Sequence, residues 1–164
     1  MATRTTRRTS RSQNKILGID IGGTGIKAAP VDIKKGVLIQ ERFRIETPQP
    51  PTPRAMLEVI GQLIEHWNWK GKIGCGFPGV LKQGKVYTAA NLSKQWIGVN
   101  IKNQIEKISS CDTVVINDAD SAGLAEMKFG AGKDYNNHGG GVVIMVTLGT
   151  GIGTALFVDG HLVH

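Results

Sequence analysis

The chain has 164 residues, 40% hydrophobic and 20% charged, with 22 glycines, which is enough for one well-buried core. No apolar run approaches the roughly 20 residues of a membrane-spanning helix, so no membrane span is expected. The net charge is +7, but Arg4, Arg7, Arg8, Arg11 and Lys15 fall in the first fifteen residues without an acid among them and leave +2 for the rest, so no specific nucleic-acid surface is expected.

Met1 to Asn14 is rich in Ser, Thr and Arg and has no apolar face, which predicts a disordered basic tail over residues 1–14. Ile16 to Ile21 then reads as a strand, Gly22 to Gly25 as a tip and Ile26 to Asp32 as a returning strand. Val37 to Ile45 reads as a third strand after the Lys35-Gly36 turn. Pro48, Pro50, Pro51 and Pro53 impose an extended connection. From Arg54, the apolar residues Met56, Leu57, Ile60, Leu63, Ile64 and Trp67 recur at helical spacing. Lys72 to Phe77 reads as a fourth strand, followed by Pro78-Gly79 and an irregular stretch through Trp96. A short helix over Ile101 to Ile108 leads to a fifth strand, Thr113 to Ile116. Asn117-Asp118-Ala119-Asp120 opens a helix to about Phe129, whose Ala and Gly content permits close packing. This order suits an open α/β sheet with crossover connections.

A second hairpin follows: Val142 to Leu148, a tip from Gly149 to Gly153, and Thr154 to Asp159. Its apolar runs suit strands covered on both faces. The tetrapeptide Gly-Thr-Gly-Ile stands in both tips, at Gly23-Thr24-Gly25-Ile26 and Gly149-Thr150-Gly151-Ile152. Glycines there permit positive φ and let backbone N–H groups approach an anion, so the two tips are candidates to hold one phosphate chain; ordinary tight turns are the plainer alternative. Two other phosphate motifs fail. Gly23-x-Gly25-x-x-Ala28 would have to open a helix, which Pro30 opposes, and Gly79 to Lys85 lacks the Ser or Thr of a Walker A loop and reads as a hairpin turn around Lys82 to Lys85.

Ligands of such sheets gather beyond the carboxyl ends of the strands. Asp20 to Thr24, Gly76 to Gly79, Asn117 with Asp118, and Gly149 to Gly153 are therefore expected around one crevice. Asp118, directly after a buried strand, is the first choice for a general base, with helix capping as the competing role. Asp120 is the second choice, with dipole compensation as its competing role. Cys75 and Cys111 lack metal-ligand spacing and read as reduced buried thiols, which points to the cytoplasm. His66, His138, His161 and His164 have no zinc-type spacing. Lys27, Lys34, Lys82, Lys85 and Lys94 could form a polyanion track, though exposed lysines are ordinarily just solvated.

Ile19-Asp20-Ile21-Gly22-Gly23-Thr24, Gly76-Phe77-Pro78-Gly79, Asn117-Asp118 and Leu148-Gly149-Thr150-Gly151-Ile152-Gly153 together resemble the motifs of the ROK sugar kinases, in the actin-like ATPase superfamily. Gly25-Ile26-Lys27 and Thr88 to Trp96 resemble the polyphosphate glucokinase branch. The resemblance covers Lys15 to Val163. It implies an actin-like ATPase (ribonuclease H-like) α/β domain over 15–138, a mixed sheet with helices on both faces, and the opening hairpin of a truncated second domain over 139–164. It further implies phosphoryl transfer from inorganic polyphosphate, ATP or both to the C6 hydroxyl of glucose. Asp118 would take the hydroxyl proton, Asn91 and Asn117 would bind sugar hydroxyls, and Gly76 and Pro78 would shape the sugar floor. Asp20 would hold Mg²⁺ through water, while Gly22, Gly23, Thr24, Lys27, Gly149, Thr150 and Gly151 would hold phosphates.

The chain departs from the family by stopping at His164, before a Glu-x-Gly-His segment that supplies further sugar ligands. The implied alternatives are a sugar- or polyphosphate-binding fragment without catalysis and an ATP-dependent kinase of another hexose. A ROK-type transcription factor would require a helix-turn-helix ahead of the body, which fourteen residues do not supply. A homodimer stays open for the full-length form.

Overall fold

The computed structural model describes residues 14–89, 91–135, 140–149 and 151–163. The arginine-rich tail up to residue 13, His138, Thr150 and His164 lie outside the described residues. Asn14, placed in the tail by the sequence, instead extends the first ladder, its carbonyl accepting from the Ile33 N–H at 2.9 Å.

The first sheet is mixed. β1 (Lys15–Ile21) pairs antiparallel with β2 (Gly25–Asp32), which carries two short segments on its far side, β3 (Val37–Leu38) and β4 (Phe43–Glu46). On its other side β1 pairs parallel with β5 (Ile73–Phe77), and β5 with β8 (Thr113–Asn117). The expected third strand is thus broken in two. Pro30 accounts for the break: its carbonyl accepts from the Ile39 N–H at 2.8 Å, and on that same side of β2 proline has no N–H to return.

Alternation along β1 and β5 sends Leu17, Ile19, Ile21, Ile73, Cys75 and Phe77 into the main core. There they meet α1 (Pro53–His66) and α2 (Ile101–Ser109), which bury Met56, Ile60, Leu63, Ile101 and Ile105. Helix α1 starts one residue earlier than Arg54, because Thr52 caps it and Pro53 fits the first turn without needing an N–H. Trp96 is fully buried edge-on to Phe77, with centroids 5.3 Å apart, and its Nε1 donates to the Pro51 carbonyl. Lys82 to Lys85 forms the expected turn between β6 (Leu81–Lys82) and β7 (Lys85–Val86); positive φ at Gln83 and Gly84 gives it the twist that suits a hairpin.

The opposite face of the sheet receives α3 (Asp118–Phe129). Helices therefore cover both faces. A second sheet, β9 (Val142–Leu148), β10 (Ile152–Val158) and β11 (His161–Leu162), packs on the other side of α3. A Cβ built at Gly123 would lie 2.8 Å from Ala155 Cβ and 2.9 Å from Phe157 Cε2, so this glycine permits the close approach its composition predicts. The second hairpin is covered on one face only, which corrects the expectation of two. Val143, Met145, Ala155 and Phe157 pack around Met127, whereas Val142, Ile144, Val146 and Leu148 are exposed. No helix among the described residues is long and apolar enough to cross a membrane.

Candidate active site

A cleft of about 1090 Å³ opens where the two sheets meet the start of α3. Its walls take Asp20, Gly22 and Gly23 from the first sheet, Gly149, Gly151 and Gly153 from the second, and Asn117 and Asp118 from the β8–α3 junction. Pro78 and Asn91 complete the wall on the side of the β5–α2 connection.

The β8–α3 junction is built by capping. Asn117 is the N-cap of α3, and its Oδ1 accepts from the N–H groups of Ala119 at 2.9 Å and Asp120 at 3.1 Å. Its Nδ2 donates to the Gly79 carbonyl at 3.1 Å. Asn117, a candidate sugar ligand, is therefore engaged at both ends of its amide in positioning its neighbour. Asp118 is half-buried, and one carboxylate oxygen accepts from the Ala119 N–H at 2.9 Å. Gly76 does not line the cleft. It lies under Asp118, where a Cβ would come 3.6 Å from the Asp118 Cα. Replacing Asn117 with Ala should cost about 1 to 2 kcal/mol in denaturant unfolding.

The first tip is braced from behind. The Gly22 N–H closes the turn onto the Gly25 carbonyl at 3.0 Å, Thr47 Oγ1 donates to the Gly22 carbonyl at 2.6 Å, and Arg44 Nη2 donates to the Thr24 carbonyl at 2.7 Å. Gly22 thus shapes the tip, while the amides of Gly23 and Thr24 make no hydrogen bond among the described residues. In the second tip the Gly149 N–H likewise closes onto the Gly151 carbonyl at 3.0 Å. None of the glycines in either tip has positive φ. Their lack of a side chain matters for space instead: a Cβ at Gly153 would lie 2.6 Å from Thr147 Oγ1 and 2.9 Å from Ala119 Cβ, whereas nothing stands within 4 Å of one at Gly149. Asn91 sits between the tips, its carbonyl oxygen 3.7 Å from a Cβ built at Gly23 and its Nδ2 3.8 Å from one at Gly151.

Asp20 reaches the cleft from β1, with its side chain 60% exposed, and Lys27 Nζ lies 3.5 Å from its Oδ2. Thr24 and Lys27 lie outside the cleft lining, as do Lys34, Lys85 and Lys94, whereas Lys82 belongs to it. Lys102 also lines the cleft, but its ammonium is held by Glu106 at 2.7 Å. That contact, with the Thr113 N–H, keeps the Glu106 carboxyl below the usual carboxylate range. Cys75 lies on the core side of β5, and burial, helped by the Asp20 charge, pushes its thiol well above the ordinary range, so it offers no nucleophile. Arg44 and Thr47 have no spacing signal that links them to the tip. Only the β2–β4 register brings them there.

A profile described as ROK family matches residues 16–164. The chain belongs to the ROK family. Among ROK relatives, the polyphosphate glucokinase of Mycobacterium tuberculosis strain H37Ra is 44% identical over 153 residues, covering 93% of this chain and 56% of that protein. The glucokinase of Streptomyces coelicolor is 34% identical over 151 residues, covering 89% of this chain and 44% of that protein. The crystal structure of the inorganic polyphosphate/ATP-glucomannokinase from Arthrobacter sp. strain KM superposes with a TM-score of 0.84 at 43% identity, over 91% of this chain and 60% of that one. A ROK family glucokinase from Streptomyces griseus, solved with glucose and AMPPNP, gives a TM-score of 0.76 at 31% identity, over 90% of this chain and 46% of that one. The chain spans about half the length of the curated relatives it matches. Its fold is that of the ROK actin-like ATPase kinases.

Proposed function

We propose that this chain carries the phosphoryl-transfer cleft of a glucokinase that uses inorganic polyphosphate, ATP or both. The observation that supports the reading best is the meeting of Asp118, Asp20 and both glycine tips in one cleft. The C6 hydroxyl of glucose gives its proton to the Asp118 carboxylate as O6 bonds to the terminal phosphorus of the donor. The bond from that phosphorus to its bridging oxygen breaks, and polyphosphate one unit shorter, or ADP, departs. Phosphoryl transfer of this kind asks the protein for positioning and charge stabilisation more than for covalent chemistry. Asn117 positions the base through the cap, and Asn91 and Pro78 border the space for the sugar. The free amides of Gly23 and Thr24, with Lys27, Gly151 and Thr150, take phosphate oxygens.

Asp20 fits Mg²⁺. It is an exposed carboxylate on the cleft, and no group of three metal-ligating side chains occurs among the described residues. This is the donor set Mg²⁺ accepts, with one or two carboxylates supplemented by water and phosphates. When bound, the ion neutralises donor charge. The reading places the protein in the cytoplasm.

The direct test is a coupled assay for glucose 6-phosphate with polyphosphate and ATP supplied separately, with mannose beside glucose because the Arthrobacter relative is named a glucomannokinase. Glucose turnover with either donor supports the reading. No turnover with any pair of donor and hexose rejects it.

A further inference from the structure

Gly25 belongs to the first Gly-Thr-Gly-Ile copy, and its carbonyl closes the tip by accepting from the Gly22 N–H. It is buried at the start of β2, opposite Glu46 of β4. A Cβ there would lie 2.7 Å from both Cζ and Nη2 of Arg44. The absent side chain is what lets the guanidinium rest on the tip, where Nη2 donates to the Thr24 carbonyl at 2.7 Å. Arg44 is exposed and makes no ion pair among the described residues. A guanidinium has five N–H donors in a planar fork, and most of this one is left to face solvent beside a phosphate-type tip.

The strand register sets Arg44 in line with the cleft. Asp20 pairs with Lys27 across β1 and β2, and Lys27 pairs with Arg44 across β2 and β4. Directly paired residues share a face of the sheet. Asp20, Lys27 and Arg44 therefore form one row, and with strands about 4.8 Å apart it runs about 10 Å outward from the cleft. Asp20 lines the cleft, while Lys27 and Arg44 continue beyond its edge. A nucleoside triphosphate ends its anionic part after three phosphates. Linear polyphosphate continues, and the row offers it cations where it leaves the tip.

We propose that Arg44, continuing the row outward from Lys27, forms an outer subsite for linear inorganic polyphosphate and sets the preference for long donors. The inference rests on the glucokinase reading for the location of the reacting phosphate. Steady-state kinetics of Arg44→Gln should show the ratio of KM for long-chain polyphosphate to KM for ATP rising about tenfold, the size of one lost charge-assisted contact. The rise should disappear when tripolyphosphate replaces the long chain. Arg44→Lys, which keeps the charge but not the fork, should fall between. The dependence of log KM on log salt for long-chain polyphosphate should lose about one unit of slope in Arg44→Gln, by the counterion-release argument for linear polyanions.

An equal loss with both donors would make Arg44 a mere brace of the tip and overturn the subsite, as would no change at all. Titration calorimetry of long-chain polyphosphate into the intact 164-residue chain separates the two readings. If Arg44→Gln weakens binding about tenfold while the wild type phosphorylates no hexose, the subsite stands and the glucokinase reading falls. If wild type and Arg44→Gln bind alike, the subsite falls, with or without turnover.

Discussion

Asp118→Asn should lower kcat for glucose phosphorylation by roughly 10² to 10⁴, the usual worth of a positioned general base. The substitution is nearly isosteric, and the amide oxygen can still accept from the Ala119 N–H, as the carboxylate does at 2.9 Å. Asn117 still caps α3 through Ala119 and Asp120. The variant should therefore unfold within about 0.5 kcal/mol of the wild type and change KM for glucose far less than kcat. That split removes the proton acceptor and little else. A near-normal kcat would reject Asp118 as the base. Asp120 also borders the cleft, and if it were the base the large loss would move to Asp120→Asn.

The second large effect belongs to Asp20. Asp20→Asn should reduce kcat by about 10² to 10³, the range for removing one preorganised electrostatic contact to a transition state, and should raise the Mg²⁺ concentration required for half-maximal rate. Its pairing with Lys27, 3.5 Å away and largely in solvent, contributes little to folding, so thermal unfolding should barely move. Rates measured across a Mg²⁺ titration check this. An unchanged Mg²⁺ dependence would show that the carboxylate holds no ion.

The sequence made the two hairpins, the Asn117-Asp118 junction and the helices legible because each rests on local chemistry: glycine tips between Val/Ile runs, an Asn at a strand-to-helix boundary, apolar residues at helical spacing. Register was not legible. The break in the third strand depends on which side of β2 the missing Pro30 N–H faces, and Arg44 reaches the first tip only because β4 pairs as it does with β2. The role of Asn117 was concealed for a similar reason. Its amide could serve a sugar or a backbone, and only the distances to Ala119, Asp120 and Gly79 reveal its bonds to the backbone. The repeated tetrapeptide also conceals a difference. Gly25 seats Arg44, whereas its counterpart Gly151 faces Asn91, so the same letters carry two tertiary tasks.

The unequal packing on the two sides of α3 has a dynamic consequence. The sheet that bears the first tip is anchored in the main core, with Trp96, Phe77, Ile60 and Ile101 fully buried, whereas among the described residues the β9–β11 sheet is secured on α3 by a smaller cluster, in which Val143, Met145 and Leu162 pack partly buried against Met127, Ala155 and Phe157. Regions with so few buried contacts open locally at lower free energy than the global unfolding of a domain. Amide hydrogen exchange should accordingly be faster along β9 and β10 than along β1, β5 and β8. Glucose phosphorylation at this cleft would then pair a stiff wall around the base with a compliant one around the second tip, and donor binding should slow exchange chiefly on the compliant side.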